Sequence, residues 1–348
     1  MRTGIVVTAR PGVEDLAVRA EELGFSSFWV YDTPMVNGDP FIALGLCAKA
    51  TSRIRLGIGV TSPALRSPPA AAAAVASLNA IAPGRVICGI GTGNTARRTL
   101  GMAPTRMAEL EDFTAAMQDL TAGGETPYTE GDRTRTIRFL HVGPYVNTAD
   151  PVEFVVAAFG LKAAAIAGRR GAGVISFGML NPAAWGAFET ARREAAGAAG
   201  RPANADSYVM TSLHVLGEGE NRYGDLAKDK MGHIAMALLT FAADNPAFAR
   251  SLAPEETEAL RRLLELRGTA AGDPRRHATL YRNYLGRIDP GERDLVVPSL
   301  VDGLALVGTR RELVERVAAL EKAGVDEIVI QPVVDPRAEM LELAELMA

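Results

Sequence analysis

Apolar runs rich in valine and isoleucine punctuate the chain at residues 3–9 (TGIVVTA), 26–32 (SSFWVYD), 54–62 (IRLGIGVTS), 85–91 (RVICGIG), 152–159 (VEFVVAAF), 173–178 (GVISFG), 207–217 (SYVMTSLHVLG) and 327–333 (EIVIQPV). Most are continuous and not alternating, the pattern of strands buried on both faces in a parallel sheet. Between them lie stretches with helical spacing, such as VEDLAVRAEELGF, DPFIALGLCAKATS and RRELVERVAALEKAGV. Strand and helix alternate throughout, so the class is α/β. Helix starts carry matching chemistry: Thr309 and Glu312 form a capping box, and Asp335 precedes a proline at the first helical position. Two units, AEELGFSSFWVYD and LEKAGVDEIVIQP, read as copies, each with a helix ending at Gly24 or Gly324 before its strand. One unit repeated around eight strands favours closure, because closure removes the edges of an open sheet. The prediction is a single eight-stranded parallel β/α (TIM) barrel over residues 1–348.

Two segments break the rhythm. Residues 123–150 are polar and turn-rich, an excursion before the fifth strand. Residues 218–300 are long, helical and charged, a helical insertion before the last strand that is placed to cover the C-terminal face, where barrel sites lie.

Composition narrows the function. The 348 residues are 48% hydrophobic and 22% charged, ordinary for a globular enzyme. A formal net charge of −4 without a basic run argues against nucleic acid. No apolar run is long enough to span a bilayer, and the apolar start of the chain is too short for a signal segment. Cys47 and Cys88, the only cysteines, sit in apolar segments, consistent with a reducing, cytoplasmic setting.

The strand ends are short of ionisable groups. They read Thr8, Asp32-Thr33, Thr61-Ser62, Thr92-Gly93-Asn94, Phe159-Gly160, Ser176-Phe177, His214 and Gln331. HExxH, CxxC and GxSxG are absent, and the four histidines are scattered, so metal hydrolysis and Ser-His-Asp chemistry lack their residues and no metal site is expected. A polar, weakly charged mouth suits chemistry supplied by an organic cofactor. After Phe159 the chain turns at Gly160 into the helix LKAAAIAG, whose first amides are free to bind phosphate, with Lys162 adding charge. The plainer reading, a tight turn with a solvated lysine, stays open. The glycines of GIGTGN (89–94) allow close backbone approach to a ring or phosphate, but their spacing is not a dinucleotide fingerprint, and residues 92–98 lead into a loop and not directly into a crossover helix. HATLYRNY (277–284) puts His277, Tyr281 and Tyr284 near one helical face that would line a lid. Arg66 reads as a mouth cation or an acid's partner. His214 and His233 are as consistent with packing as with a site.

Four stretches, LGIGVTSPALRSPPAAAAAVASL (56–78), GIGTGNTARRTLGM (89–102), AAFGLKAAAIAGRRGAGVISFG (157–178) and ALVGTRRELVERVAALEKAGVDEIVIQP (305–332), in this order and spacing, resemble the luciferase-like family of flavin- and deazaflavin-dependent oxidoreductases. GTGN and the following LGM are most similar to the branch holding methylenetetrahydromethanopterin reductase and the deazaflavin-dependent sugar-phosphate dehydrogenases. The resemblance implies coenzyme F420, with FMN as the alternative, and a homodimer acting on a small molecule. It implies a non-proline cis peptide at Gly59-Val60. Gly59, Val60, Thr61, Gly91, Thr92, Gly93 and the stretch Ala158, Phe159, Gly160, Leu161, Lys162 then become cofactor contacts, with Asp32, Thr33 and Asn94 as candidate catalytic residues. Two departures bear on the reaction. Thr33 stands where the family often has histidine, and Asn94 where the dehydrogenase branch has glutamate. Without an imidazole and a carboxylate as base and acid, hydride transfer as a reductase is favoured over sugar-phosphate oxidation. An FMN-dependent monooxygenase, a non-catalytic binding homologue and a phosphosugar barrel enzyme without a redox cofactor are the rivals.

Overall fold

The computed structural model describes residues 1–268, 270 and 272–347. Eight parallel strands close a barrel: β1 (Arg2–Val7), β2 (Ser27–Val30), β3 (Arg55–Thr61), β4 (Val86–Ile90), β5 (Glu153–Ala157), β6 (Gly173–Phe177), β7 (Ser207–Thr211) and β8 (Glu327–Ile330), with β8 returning to β1. Each of the eight apolar runs supplies one of them. The reason for continuous runs is visible in the side-chain alternation. Ile5, Val7, Phe28, Val30, Ile328 and Ile330 face the surrounding helices, whereas Val6, Trp29, Val155, Ile175, Tyr208 and Val329 fill the barrel interior. Both faces are dry, so neither phase of the alternation is polar. Gly57 makes room for Trp29, since a Cβ there would lie 2.2 Å from the indole.

The helices begin and end where the chemistry predicts. Thr309 and Glu312 form the capping box of helix Arg310–Lys322. Asp335 Oδ1 accepts from the Ala338 amide at the start of Pro336–Met347. Gly24 and Gly324 both adopt left-handed φ, 82° and 104°. At the N-terminal face, Arg55 joins Glu153 at 2.8 Å and the fully buried Glu327 at 2.6 Å. This polar floor is remote from the mouth and reads as stability.

Residues 126–137 form an exposed antiparallel hairpin, Thr126–Glu130 with Arg133–Ile137, within the expected excursion. The run 207–217 was expected to be one strand, and it is not. The chain leaves the barrel after Thr211, whose hydroxyl donates to the Leu304 carbonyl at 2.7 Å. Leu213–Val215 then pairs in parallel with Leu306–Gly308, a strand hidden in the sequence because only three residues long. Between these two strands lie helices Asp225–Ala243, Pro246–Ala249, Pro254–Leu266, Arg276–Leu280 and Pro298–Leu304 and the 3₁₀ turn Pro290–Leu295. They own a second core that includes Met231, Leu239, Leu263, Leu295 and Val301. It is pinned by a buried Arg267–Glu292 pair at 2.9 Å, and Arg267 also donates to the carbonyl of Leu280. No helix among the described residues is long and apolar enough to cross a membrane.

Candidate functional site at the barrel mouth

Asp32 and Thr33 follow β2 and are buried. Asp32 Oδ2 accepts from Arg66 at 2.5 Å, while its Oδ1 is buried without a partner. The other end of the Arg66 guanidinium reaches Asp39 at 2.5 Å, and its plane lies 4.6 Å over Phe41. Asp39 in turn caps helix Pro40–Ala50 by accepting from the Phe41 and Ile42 amides. Arg66 is thus the partner of two acids and not a free cation. Burial pushes the Asp32 carboxyl up, against the pull of Arg66 and of the nearby Thr61 hydroxyl. Thr61 Oγ1 lies outside hydrogen-bond geometry and, like Ser176 Oγ at the end of β6, is buried without a partner.

Gly59-Val60 in β3 is a cis peptide, as the resemblance implied. The glycines of β4 and its loop crowd this strand. A Cβ on Gly91 would lie 2.9 Å from Val60 Cγ2, and one on Gly89 2.5 Å from the Ile58 carbonyl oxygen. Gly93 has φ 71°, and its Cβ would meet Ser62 Oγ at 2.6 Å. Close approach to β3 therefore accounts for these glycines without a ligand. Thr92 beside them is half-buried. After Gly93, Asn94–Arg98 is a short helix that leads into a loop over 99–106 before the crossover helix Met107–Thr121, as expected. Within the short helix Arg98 Nε donates to Asn94 Oδ1 at 2.7 Å, and Arg98 Nη1 donates to the Asp244 carbonyl at 3.0 Å. The Asn94 carbonyl oxygen is thereby committed.

After β5, Ala158 is buried and its amide donates to the Ile175 carbonyl at 2.9 Å. Phe159, Gly160, Leu161 and Lys162 are exposed. Gly160 is not at a turn that demands glycine: φ −171° and ψ 165° are extended values open to any residue. Nothing lies within 4 Å of where a Cβ would stand. Gly160 precedes helix Leu161–Arg169, which no side chain caps, and its carbonyl takes the Ala163 and Ala164 amides. The helix is held in place by Gly168, where a Cβ would lie 2.0 Å from the Arg192 carbonyl oxygen of helix Pro182–Ala198.

The insertion enters the mouth itself. Leu285 is buried in the barrel-interior cluster with Val6, Trp29, Tyr31 and Met210, and Tyr284 packs against that cluster. The Leu285 carbonyl accepts from Gln331 Nε2 at 2.7 Å, and Gln331 Oε1 accepts from Tyr31 at 2.8 Å. Tyr284 Oη lies 3.3 Å from Thr95 Oγ1. Asn283 and Leu285 both have left-handed φ, 54° and 59°, a conformation costly for a non-glycine residue. Beside this corner is a cavity of about 700 Å³ lined in part by Thr8, Asn37, His277, Tyr281 and Tyr284. The aromatic face read from residues 277–284 thus does line a mouth chamber. None of the residues expected to be catalytic or cofactor-binding is among its lining residues. Of the other histidines, His214 lies buried between Glu220 and Lys230, and His233 accepts or donates to Ser212 at 3.1 Å; both are packing groups. Sequence reasoning missed Arg98, Gln331 as a clamp on Leu285, and Leu285 itself. Only the tyrosines flanking Leu285 signalled that segment.

The model of the luciferase-like monooxygenase family matches residues 8–327. The chain belongs to this family. Similar to this luciferase-like chain are an F420-dependent glucose-6-phosphate dehydrogenase of Nakamurella multipartita, 34% identical over 175 residues, 47% of this chain and 50% of that protein, and a limonene 1,2-monooxygenase of Rhodococcus erythropolis, 29% identical over 175 residues, 48% and 44%. The chain spans about half the length of these curated relatives. In fold it is similar to the coenzyme F420-dependent tetrahydromethanopterin reductase of Methanopyrus kandleri, with TM-score 0.71, 21% identity, and coverage of 99% of this chain and 97% of that one.

Proposed function

We propose that this luciferase-like protein is an oxidoreductase that holds the anionic tail of coenzyme F420 on the amides of residues 160–162 and reduces a small organic substrate at the barrel mouth. The observation that carries the reading is the uncapped helix start at Gly160, open to solvent and with no side chain competing for its amides. The residues present suit such a cofactor in a second respect. Thr61 Oγ1 and Ser176 Oγ are buried, unpartnered hydroxyls at strand ends, ready for the polar edge of a ring. Val60 and Phe177, the chain neighbours of these hydroxyls, and Ala157 are partly buried apolar residues packed against the interior cluster that holds Leu285, and we take them as the apolar floor. Seating a ring there moves the Tyr284-Leu285 corner.

A bound deazaflavin supplies hydride chemistry. The chain's own residues do the rest. Asp32 is a buried mouth carboxyl whose second oxygen has no partner, and burial raises its pKa. Such a group, held by Arg66 through its other oxygen, is the mouth residue we assign to exchange a proton with the substrate. Asn94 is uncharged and its carbonyl is held by Arg98, so it offers a substrate hydroxyl no base. The lack of a base at Asn94 favours reduction over alcohol oxidation.

The test is titration of the purified protein with oxidised F420 and, separately, with FMN, followed by fluorescence. Saturable F420 binding that exceeds FMN binding is expected. Tight FMN binding without F420 binding overturns the ranking and favours the monooxygenase reading, to which the limonene 1,2-monooxygenase relative lends weight.

A further inference from the structure

We infer that Gln331 is a ligand-binding residue of the barrel mouth, its side-chain N–H held for a neutral carbonyl oxygen, and that the Leu285 carbonyl and side chain occupy this subsite while the corner is closed. The inference deepens the reading above and rests on it only in that an incoming ligand displaces the Tyr284-Leu285 corner. Which cofactor the protein uses does not enter.

The partners of Gln331 fix the orientation of its amide. Gln331 follows β8, is 2% exposed, and its backbone amide donates to the Thr211 carbonyl at 3.0 Å. The Leu285 carbonyl can only accept, so the side-chain nitrogen faces it, at 2.7 Å, and the side-chain oxygen faces the Tyr31 hydroxyl, at 2.8 Å. Tyr31 therefore donates, and Gln331 presents a donor toward the corner. Both groups are uncharged and buried. A neutral carbonyl thus replaces the Leu285 oxygen without stranding a charge, whereas a ligand lacking an acceptor leaves a buried N–H unpaired.

The present occupant is held by its surroundings and not by its own backbone. Asn283 and Leu285 keep left-handed φ, 54° and 59°, which non-glycine residues hold only where neighbouring contacts impose it. For Leu285 those contacts are burial with Val6, Trp29 and Met210 and the bond from Gln331. The flanks of the corner are anchored elsewhere: Tyr281 donates to Asp244 at 2.8 Å, and Ile288 belongs to the second core of the insertion. Tyr284 and Gly286, on either side of Leu285, line the cavity of about 700 Å³, whereas Leu285 does not. Residues 282–287 therefore have open space beside them into which the corner withdraws with both anchors in place.

The carbonyl comes either from the ring of the cofactor or from the substrate, and the experiment has an arm for each. Cofactor-free protein is saturated with deazariboflavin, which has the ring without an anionic tail, or with 5-methyl-2-hexanone, which copies the path from the Leu285 carbonyl to its branched end. Each probe carries isotope-labelled carbonyl carbons and is followed by infrared spectroscopy, beside hydrogen exchange of the protein. A bound carbonyl is expected to shift to lower stretching frequency, and exchange at the Tyr284 and Gly286 amides to speed up about tenfold or more as the corner leaves. The probe that shows the shift identifies the source. Gln331→Met keeps the length of the side chain and loses the donor. It should abolish the shift and, without any probe, speed exchange at the same amides about threefold to tenfold, the worth of the bond to Leu285. Circular dichroism and the melting temperature identify a misfolded variant; Gln331→Leu then takes its place, and the wild-type measurements need neither. No shift with either probe, a shift that persists in a folded Gln331 variant, or binding that leaves corner exchange unchanged overturns the inference. Failure of F420 to bind while a probe opens the corner removes the cofactor reading and leaves Gln331 in place, and saturable F420 binding with neither probe opening the corner does the reverse.

Discussion

Gly160→Asp separates the two roles of the turn after β5, as a fold element and as an anion site. The backbone there is extended, φ −171° and ψ 165°, and the space around a new Cβ is empty to 4 Å, so the substitution meets no steric cost. Asp at this position supplies the missing cap of helix Leu161–Arg169. A cap is worth about 0.5–2 kcal/mol, of which glycine already provides part, and a negative charge near the helix start adds about 0.3–1 kcal/mol. The melting temperature should hold or rise by about 1–3 °C. For an anionic cofactor tail the same carboxylate is a rival for the amides and a like charge. Two unit charges about 5 Å apart at an effective dielectric near 20 repel by about 3 kcal/mol. Screening at an exposed turn reduces this to about 2 kcal/mol, roughly thirtyfold in Kd. Gly160→Ala, which fits equally well but carries no charge, should bind within about threefold of wild type. The assay is F420 fluorescence titration at fixed ionic strength beside a thermal melt of each variant. A Gly160→Asp protein that is at least as stable as wild type yet binds F420 equally well would refute the reasoning, because no anion could then lie on those amides.

Three further outcomes follow from the same geometry. Asp32→Asn keeps the shape but removes the transferable proton, so the reductase turnover number should fall about 10²-fold or more with cofactor Kd within about threefold; in the wild-type enzyme turnover should decline as pH rises through the raised Asp32 pKa, and a flat profile would remove Asp32 from the role. Leu285→Ala frees the apolar floor, so cofactor affinity should tighten by up to about tenfold through loss of the competing closed corner, even as the variant's own stability drops by about 2–3 kcal/mol; weaker binding would mean that Leu285 is part of the cofactor site and not its rival. Glu21 is held at a pKa of about 2: burial works upward, but the amides of Ile54, Arg53 and Ser52 outweigh it. Since the folded pKa lies below the unfolded one, its stabilisation is complete above about pH 4.5 and is lost as pH falls toward 2. Glu21→Gln should therefore cost about 1–2 kcal/mol at neutral pH, after allowance for screening of a partly exposed group, and flatten the melting temperature's decline in acid.

The barrel was legible because its information is local. Each strand is a run of residues that must be apolar on both faces, and each helix carries its own start and stop, as at Thr309, Gly24 and Gly324. The exception, Leu306–Gly308, is a strand only because Leu213–Val215 has left the barrel to pair with it. Nothing in either triplet dictates that choice; it follows from the Thr211 hydroxyl and the Ser212 carbonyl being taken up by residues 304 and 306.

The mouth was legible only in part, for a related reason. GTGN and the turn at Gly160 look alike as glycine signals, yet their causes differ. Gly91 and Gly93 are required by Val60 and Ser62, contacts with the neighbouring strand, so a ligand is not needed to explain them. Gly160 is required by no neighbour and by no backbone angle, and under the proposed function its missing side chain leaves the helix amides open. The same argument holds for the polar groups. Asn37, Thr61 and Ser176 were indistinguishable in sequence from any other loop or strand-end residue. Burial without a partner is what sets them apart, and that property arises only when the strands and the insertion are packed together.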